Sequence, residues 1–122
     1  MNVLVDSVIL IDHFNRIAAA TAYLRRTERQ SAISVITRAE VLAGFNGEAL
    51  ALALQLLDRF PTLPIDRTAA DLAARLRRHH RWKLPDAFQA AVAQQHGLKL
   101  ATRNRRDFPP DRFDFVVIPY VV

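Results

Sequence analysis

Four short patterns in this 122-residue chain place a carboxylate where a strand would end or a helix begin. They are Val3-Leu4-Val5-Asp6, Thr37-Arg38-Ala39-Glu40, Leu84-Pro85-Asp86-Ala87 and Thr102-Arg103-Asn104-Arg105-Arg106-Asp107-Phe108. Carboxylates gathered in one place repel each other and ionise together only when a cation neutralises them. The chain has no cysteine, so thiolate metal sites, disulfides and cysteine nucleophiles are excluded. A metal here must be held by oxygen or imidazole, which points to a hard cation such as magnesium or manganese. The four histidines do not suggest zinc: His79 and His80 are adjacent, and His13 and His96 are isolated. Each acid also has an ordinary structural use. Asp6 can cap a helix, and Glu40 stands three residues after Thr37, the capping-box spacing. Asp86 after Pro85 suits a helix N-terminus, and Asp107 can cap the turn before Pro109 and Pro110.

The elements that would position these groups alternate between strand and helix. Residues 2–5 read as a buried strand, followed by a helix from about Ile9 that continues past Asn15 towards Arg26. A second strand is expected at 31–34 and a helix at 37–45. The next helix covers 48–60, with Leu50, Leu54 and Leu57 on one stripe. A third strand follows at 62–65. Asp66 or Thr68 then caps a helix carrying Leu72 and Leu76. A helix at 86–96 stops at Gly97, and strands at 98–102 and 115–118 complete the chain. Alternation of this kind predicts an α/β fold: one domain spanning 1–122, with a mostly parallel sheet of four to five strands and helices on both faces. Such sheets gather function beyond the C-terminal strand ends, at the topological switch point. Asp6 and the Thr102-Arg103-Asn104 corner are therefore the first places to look.

Lys and Arg number 17 against 12 Asp and Glu. That excess favours phosphate backbones, although solubility alone would also account for it. The first six residues lack the basic stretch and long apolar run of a signal peptide. No run of eighteen apolar residues occurs either, so a soluble, cytoplasmic protein without a membrane span is expected.

Taken in order, these motifs resemble the PIN-domain family, specifically the VapC-type toxins of type II toxin–antitoxin systems. Val5-Asp6-Ser7-Val8-Ile9-Leu10-Ile11-Asp12 is similar to the family's first signature, and Ile33-Ser34-Val35-Ile36-Thr37-Arg38-Ala39-Glu40 to its second. Leu84-Pro85-Asp86-Ala87-Phe88-Gln89-Ala90-Ala91, running on through Thr102 to Phe108, resembles the third. The resemblance implies a magnesium-dependent endoribonuclease, with manganese able to substitute. Its metal carboxylates would be Asp6, Glu40 and Asp86, completed by Asn104 and Asp107. Ser7 and Thr102 would supply supporting hydroxyls. It further implies a homodimer and a cognate antitoxin that covers the acidic groove. The chain departs from the family pattern at Val8, where a polar residue is usual, and is short between Gly47 and Pro61. Arg103, Arg105 and Arg106 flank the expected cup and would hold RNA. A second basic run, Arg77 to Lys83, and a stacking surface on Trp82 would be further RNA contacts, but a solvated helix end and ordinary core packing are the favoured readings of these residues.

Two other readings fit parts of the pattern. A PIN domain that binds RNA or protein without cleavage would account for Val8 and Asn104. A receiver-type signalling domain would use Asp6 for magnesium and Asp66 for phosphate.

Overall fold

The computed structural model describes residues 1–122. Its sheet has five strands: β1 (Val3–Val5), β2 (Ser31–Ser34), β3 (Thr62–Leu63), β4 (Lys99–Ala101) and β5 (Val116–Val117). All pairings are parallel and the order is β3-β2-β1-β4-β5. Six helices connect them: α1 (Ser7–Phe14), α2 (Ala18–Thr27), α3 (Val35–Ala43), α4 (Gly47–Leu57), α5 (Arg67–His80) and α6 (Leu84–Gln95).

The three central strands show the two-residue period of a sheet buried on both faces. Leu4, Ala32 and Leu100 enter one core with α5, α6, Trp82 and Phe108. Their successors Val5, Ile33 and Ala101 enter the other, with Ile9, Leu10, Leu24, Val41 and Leu57. The small residues Ala87, Ala90, Ala91 and Ala93, all fully buried, line the first core from α6.

Several expected boundaries move for local reasons. The first helix does not run through to Arg26. It ends at Phe14, Arg16 takes a left-handed φ of 63°, and α2 starts afresh at Ala18. The helix expected at 37–45 starts two residues earlier, because the Ser34 hydroxyl accepts the Thr37 amide and caps it. Asp66 caps α5 through the Ala69 amide, and Gly97, at φ 65°, ends α6 as expected. The strand order overturns the receiver reading, whose sheet runs 2-1-3-4-5. Asp66, its supposed phosphate acceptor, is spent on Ala69 and Gln95 at the start of α5.

Candidate active site

The strand order reverses between β1 and β4, and the residues that follow those two strands meet across the gap. Asp6 follows β1 and Thr102 follows β4, and the Thr102 hydroxyl donates to Asp6 Oδ2 at 2.7 Å. Asp6 Oδ1 accepts the Ser7 amide at 2.8 Å, so the residue does cap α1. Capping uses only part of the acceptor capacity of a carboxylate, which offers about four lone-pair positions.

A buried side chain that sequence reasoning passed over completes the support. Gln89 of α6 is 1% exposed. Its Nε2 donates to Asp6 Oδ1 at 3.2 Å and to the Thr37 hydroxyl, while its Oε1 accepts from Ser34 Oγ at 2.7 Å. The Ser34 hydroxyl thereby fixes which end of the amide faces Asp6. A signal for Gln89 existed in the sequence. It is a lone amide among Ala87, Ala90, Ala91, Val92 and Ala93, and a polar group in so apolar a stretch needs a buried partner.

Glu40 and Asp86 stand on the same cleft as Asp6. The cleft, about 560 Å³, is also lined by Ser7, Val8, Arg103, Asn104, Arg105 and Arg106. Glu40 is inside α3, whose cap is Ser34 rather than Thr37, so the capping-box role fails for this residue. Its carboxyl is pushed above the usual range by desolvation and by the charge of Asp6, against a hydrogen bond from Ser7. Asp86 sits in the first turn of α6. Burial, then the charges of Asp6, Asp107 and Glu40, push its pKa up to about 6, with Lys83 opposing. Asp107 does not line the cleft, but its charge reaches Asp86. Asn104 orients Asp107 by donating Nδ2 to its Oδ2 at 3.0 Å. It also accepts the Asp107 amide at 3.2 Å, so Asn104 caps this turn and Asp107 does not.

None of these acids has a salt bridge. The chain's three ion pairs are Arg38–Asp58, Arg59–Glu28 and Arg103–Asp12. The cleft therefore collects carboxylates that no cationic side chain pairs with directly. No three of the acids or histidines stand close enough to enclose an ion by themselves. Magnesium is commonly held by one or two carboxylates and keeps several waters, so Asp6 and Asp86, backed by Glu40, suit it as a donor set.

Asp86 carries a pH prediction for the metal-free protein. Its folded pKa is raised, so between about pH 4 and pH 6 the folded state binds the extra proton and this group's share of stability falls as pH rises. Asp86→Asn should flatten that fall in thermal denaturation followed across the window. An unchanged profile would place the titrating group elsewhere.

Arg103 is placed differently from expectation, whereas Trp82 takes the core position that its surroundings favoured. Arg103 lines the cleft, but two of its nitrogens are bound to Asp12. Trp82 is 4% exposed, stacks on His80 and donates Nε1 to the Asp107 carbonyl at 2.9 Å, so it is a core residue and no stacking surface. In the second basic run, Arg77 is bound to the Trp82 carbonyl, whereas Arg78, His79 and Arg81 are exposed. Arg105 and Arg106 are exposed on the cleft rim. No helix is long and apolar enough to cross a membrane.

Comparison with known proteins agrees with this geometry. The PIN domain model matches residues 3–114. Ribonuclease VapC10 of Mycobacterium tuberculosis is 36% identical over 127 aligned residues, covering 98% of this chain and 94% of that protein. A toxin–antitoxin complex from Klebsiella pneumoniae contains a chain that superposes with a TM-score of 0.89 at 36% identity, over 99% of this chain and all of that one. FitAcB from Neisseria gonorrhoeae, at 24% identity and a TM-score of 0.81 over 98% of this chain and 99% of that one, shares the fold. With a family match that spans nearly its whole length and an acidic cleft at the β1–β4 switch point, the chain belongs to the PIN domain family.

Proposed function

We propose that this protein is a magnesium-dependent endoribonuclease acting as the toxin of a toxin–antitoxin pair. The observation that carries the reading is the cleft itself: Asp6, Glu40 and Asp86 unpaired by any cation, beside a rim of exposed Arg105 and Arg106. The similarity to a VapC ribonuclease and to a chain of a toxin–antitoxin complex supports both the substrate and the toxin role.

Asp6 and Asp86 would hold the ion, with Glu40 through water. Bound there, magnesium supplies charge neutralisation at the scissile phosphate and a water of lowered pKa. The chain's residues do the positioning. Thr102, Ser7 and Gln89 hold the Asp6 carboxylate in one orientation through three hydrogen bonds. Asn104 fixes Asp107, whose charge reaches Asp86 and whose carboxylate would orient water beside it. Arg105 and Arg106 hold the RNA backbone and offset the repulsion between an acidic cleft and a polyanion. Manganese is expected to substitute, since it takes the same oxygen ligands. A homodimer, a cytoplasmic location and an antitoxin covering the cleft complete the proposal.

Induced expression of the wild-type chain should arrest growth where Asp86→Asn does not; equal growth in both would count against the toxin role. Arg105→Ala/Arg106→Ala should weaken RNA binding and lower the slope of log affinity against log salt by about 2, close to one for each phosphate that is no longer neutralised. An unchanged slope in anisotropy titrations would remove both arginines from the footprint.

A further inference from the structure

Arg103 is the one cationic side chain on the cleft wall that is held by a carboxylate outside the cleft. Its Nε donates to Asp12 Oδ2 at 2.7 Å and its Nη2 to Asp12 Oδ1 at 3.0 Å, the planar two-point geometry that fixes a guanidinium most firmly. Asp12 is 3% exposed, at the far end of α1 from Asp6. A third bond reaches Asp12 Oδ2 from the Tyr120 hydroxyl at 2.7 Å, contributed by the C-terminal segment beyond β5. A half-buried phenol and an arginine thus converge on one buried acid near the other end of the chain.

The surroundings give this arrangement a purpose that packing alone does not. Asp6, Glu40 and Asp86 line the same cleft as Arg103 and have no cationic partner. A flexible arginine at that position would turn towards the unpaired carboxylates and compete with a divalent ion for them. We infer that Asp12 and Tyr120 are positioning residues that tether Arg103 away from the acidic cup, keeping the cup free for a cation. This rests on the reading of the cleft as a cation site, and concerns which of the chain's own residues keep it open.

The tether predicts an unusual ranking: losing its anchor harms the site more than losing the arginine. In manganese titrations followed by electron paramagnetic resonance, Asp12→Asn should weaken binding by about tenfold to a hundredfold, the range of outer-sphere losses at metal sites. Arg103→Ala should stay close to wild type, short of the roughly tenfold loss that marks an outer-sphere partner. The double variant Asp12→Asn/Arg103→Ala should return to the Arg103→Ala level. Tyr120→Phe, which leaves the ion pair in place, should give a smaller loss of the same sign, again cancelled by Arg103→Ala. It provides the same test if Asp12→Asn fails to fold. A merely structural role for Asp12 would leave the double variant as weak as Asp12→Asn, and that result would overturn the inference. So would wild-type affinity in both Asp12→Asn and Tyr120→Phe. A wild-type chain that binds no manganese would overturn the cation site together with the tether. Manganese binding with the expected ranking but no RNA cleavage would support the tether and count only against the ribonuclease reading.

Discussion

Asp6→Asn/Asp86→Asn should abolish RNA cleavage while leaving the chain folded. The loss expected is more than about a hundredfold, beyond the tenfold to hundredfold that changes around a metal ligand cause. Folding should survive because Asn at position 6 can still cap α1 by accepting the Ser7 amide on Oδ1, while its Nδ2, in the place of Oδ2, donates to the Thr102 hydroxyl instead of accepting from it. The substitution also removes two of the charges that repel each other in the metal-free cleft. At neutral pH the variant should therefore melt no lower than wild type. Cleavage assays on labelled RNA and thermal denaturation on the same preparations check both halves. Retained cleavage would move the chemistry out of this cleft. A large fall in melting temperature would mean that these acids are structural after all.

Trp82→Ala should cost about 3–5 kcal/mol of stability, the range for removing a large aromatic side chain from a core. The ring packs on Phe108 and Phe113 and stacks on His80, and its indole nitrogen donates to the Asp107 carbonyl. For a chain of this size the melting midpoint should fall by at least about 10 °C. Trp82→Phe should recover much of the packing but not the hydrogen bond to Asp107, and so should affect cleavage more than stability. A fall below about 1 kcal/mol in Trp82→Ala would show that the ring is not the core residue its contacts describe.

The sheet could be read in advance because its strands are short apolar runs and the helices between them keep a clear period. Leu4 and Val5, or Ala32 and Ile33, go to opposite cores as the two-residue period requires. Boundaries set by a single side chain were less legible. Nothing in the residues around Arg16 announces that it takes a left-handed conformation and splits α1 from α2. The cap of α3 fell to Ser34 although Thr37 had the familiar spacing to Glu40, because Thr37 was needed inside, against Gln89 and the Val5 carbonyl.

The acids of the cleft were legible as a set only through the order of their motifs, since each alone has a capping use. The groups that hold them were not. Gln89 supports Asp6 from 83 residues away, and Thr102 does so from 96. Asp12, Arg103 and Tyr120 meet only once the sheet has closed the distance between the two ends of the chain. Long-range polar contacts of this kind leave no local period to read. Charge misled in one respect: Arg103 belongs to a basic run that suggests RNA, yet two of its nitrogens answer a buried carboxylate.

The most direct test of a metal-dependent ribonuclease is cleavage of a mixed RNA substrate by the purified chain, free of any antitoxin, with magnesium, with manganese and with chelator. Cleavage is expected with either metal and none with chelator. Cleavage that persists in chelator would contradict the metal-dependent cleft. Intact RNA under every condition, from protein shown to be folded, would contradict the ribonuclease itself and leave a PIN domain that binds without cutting.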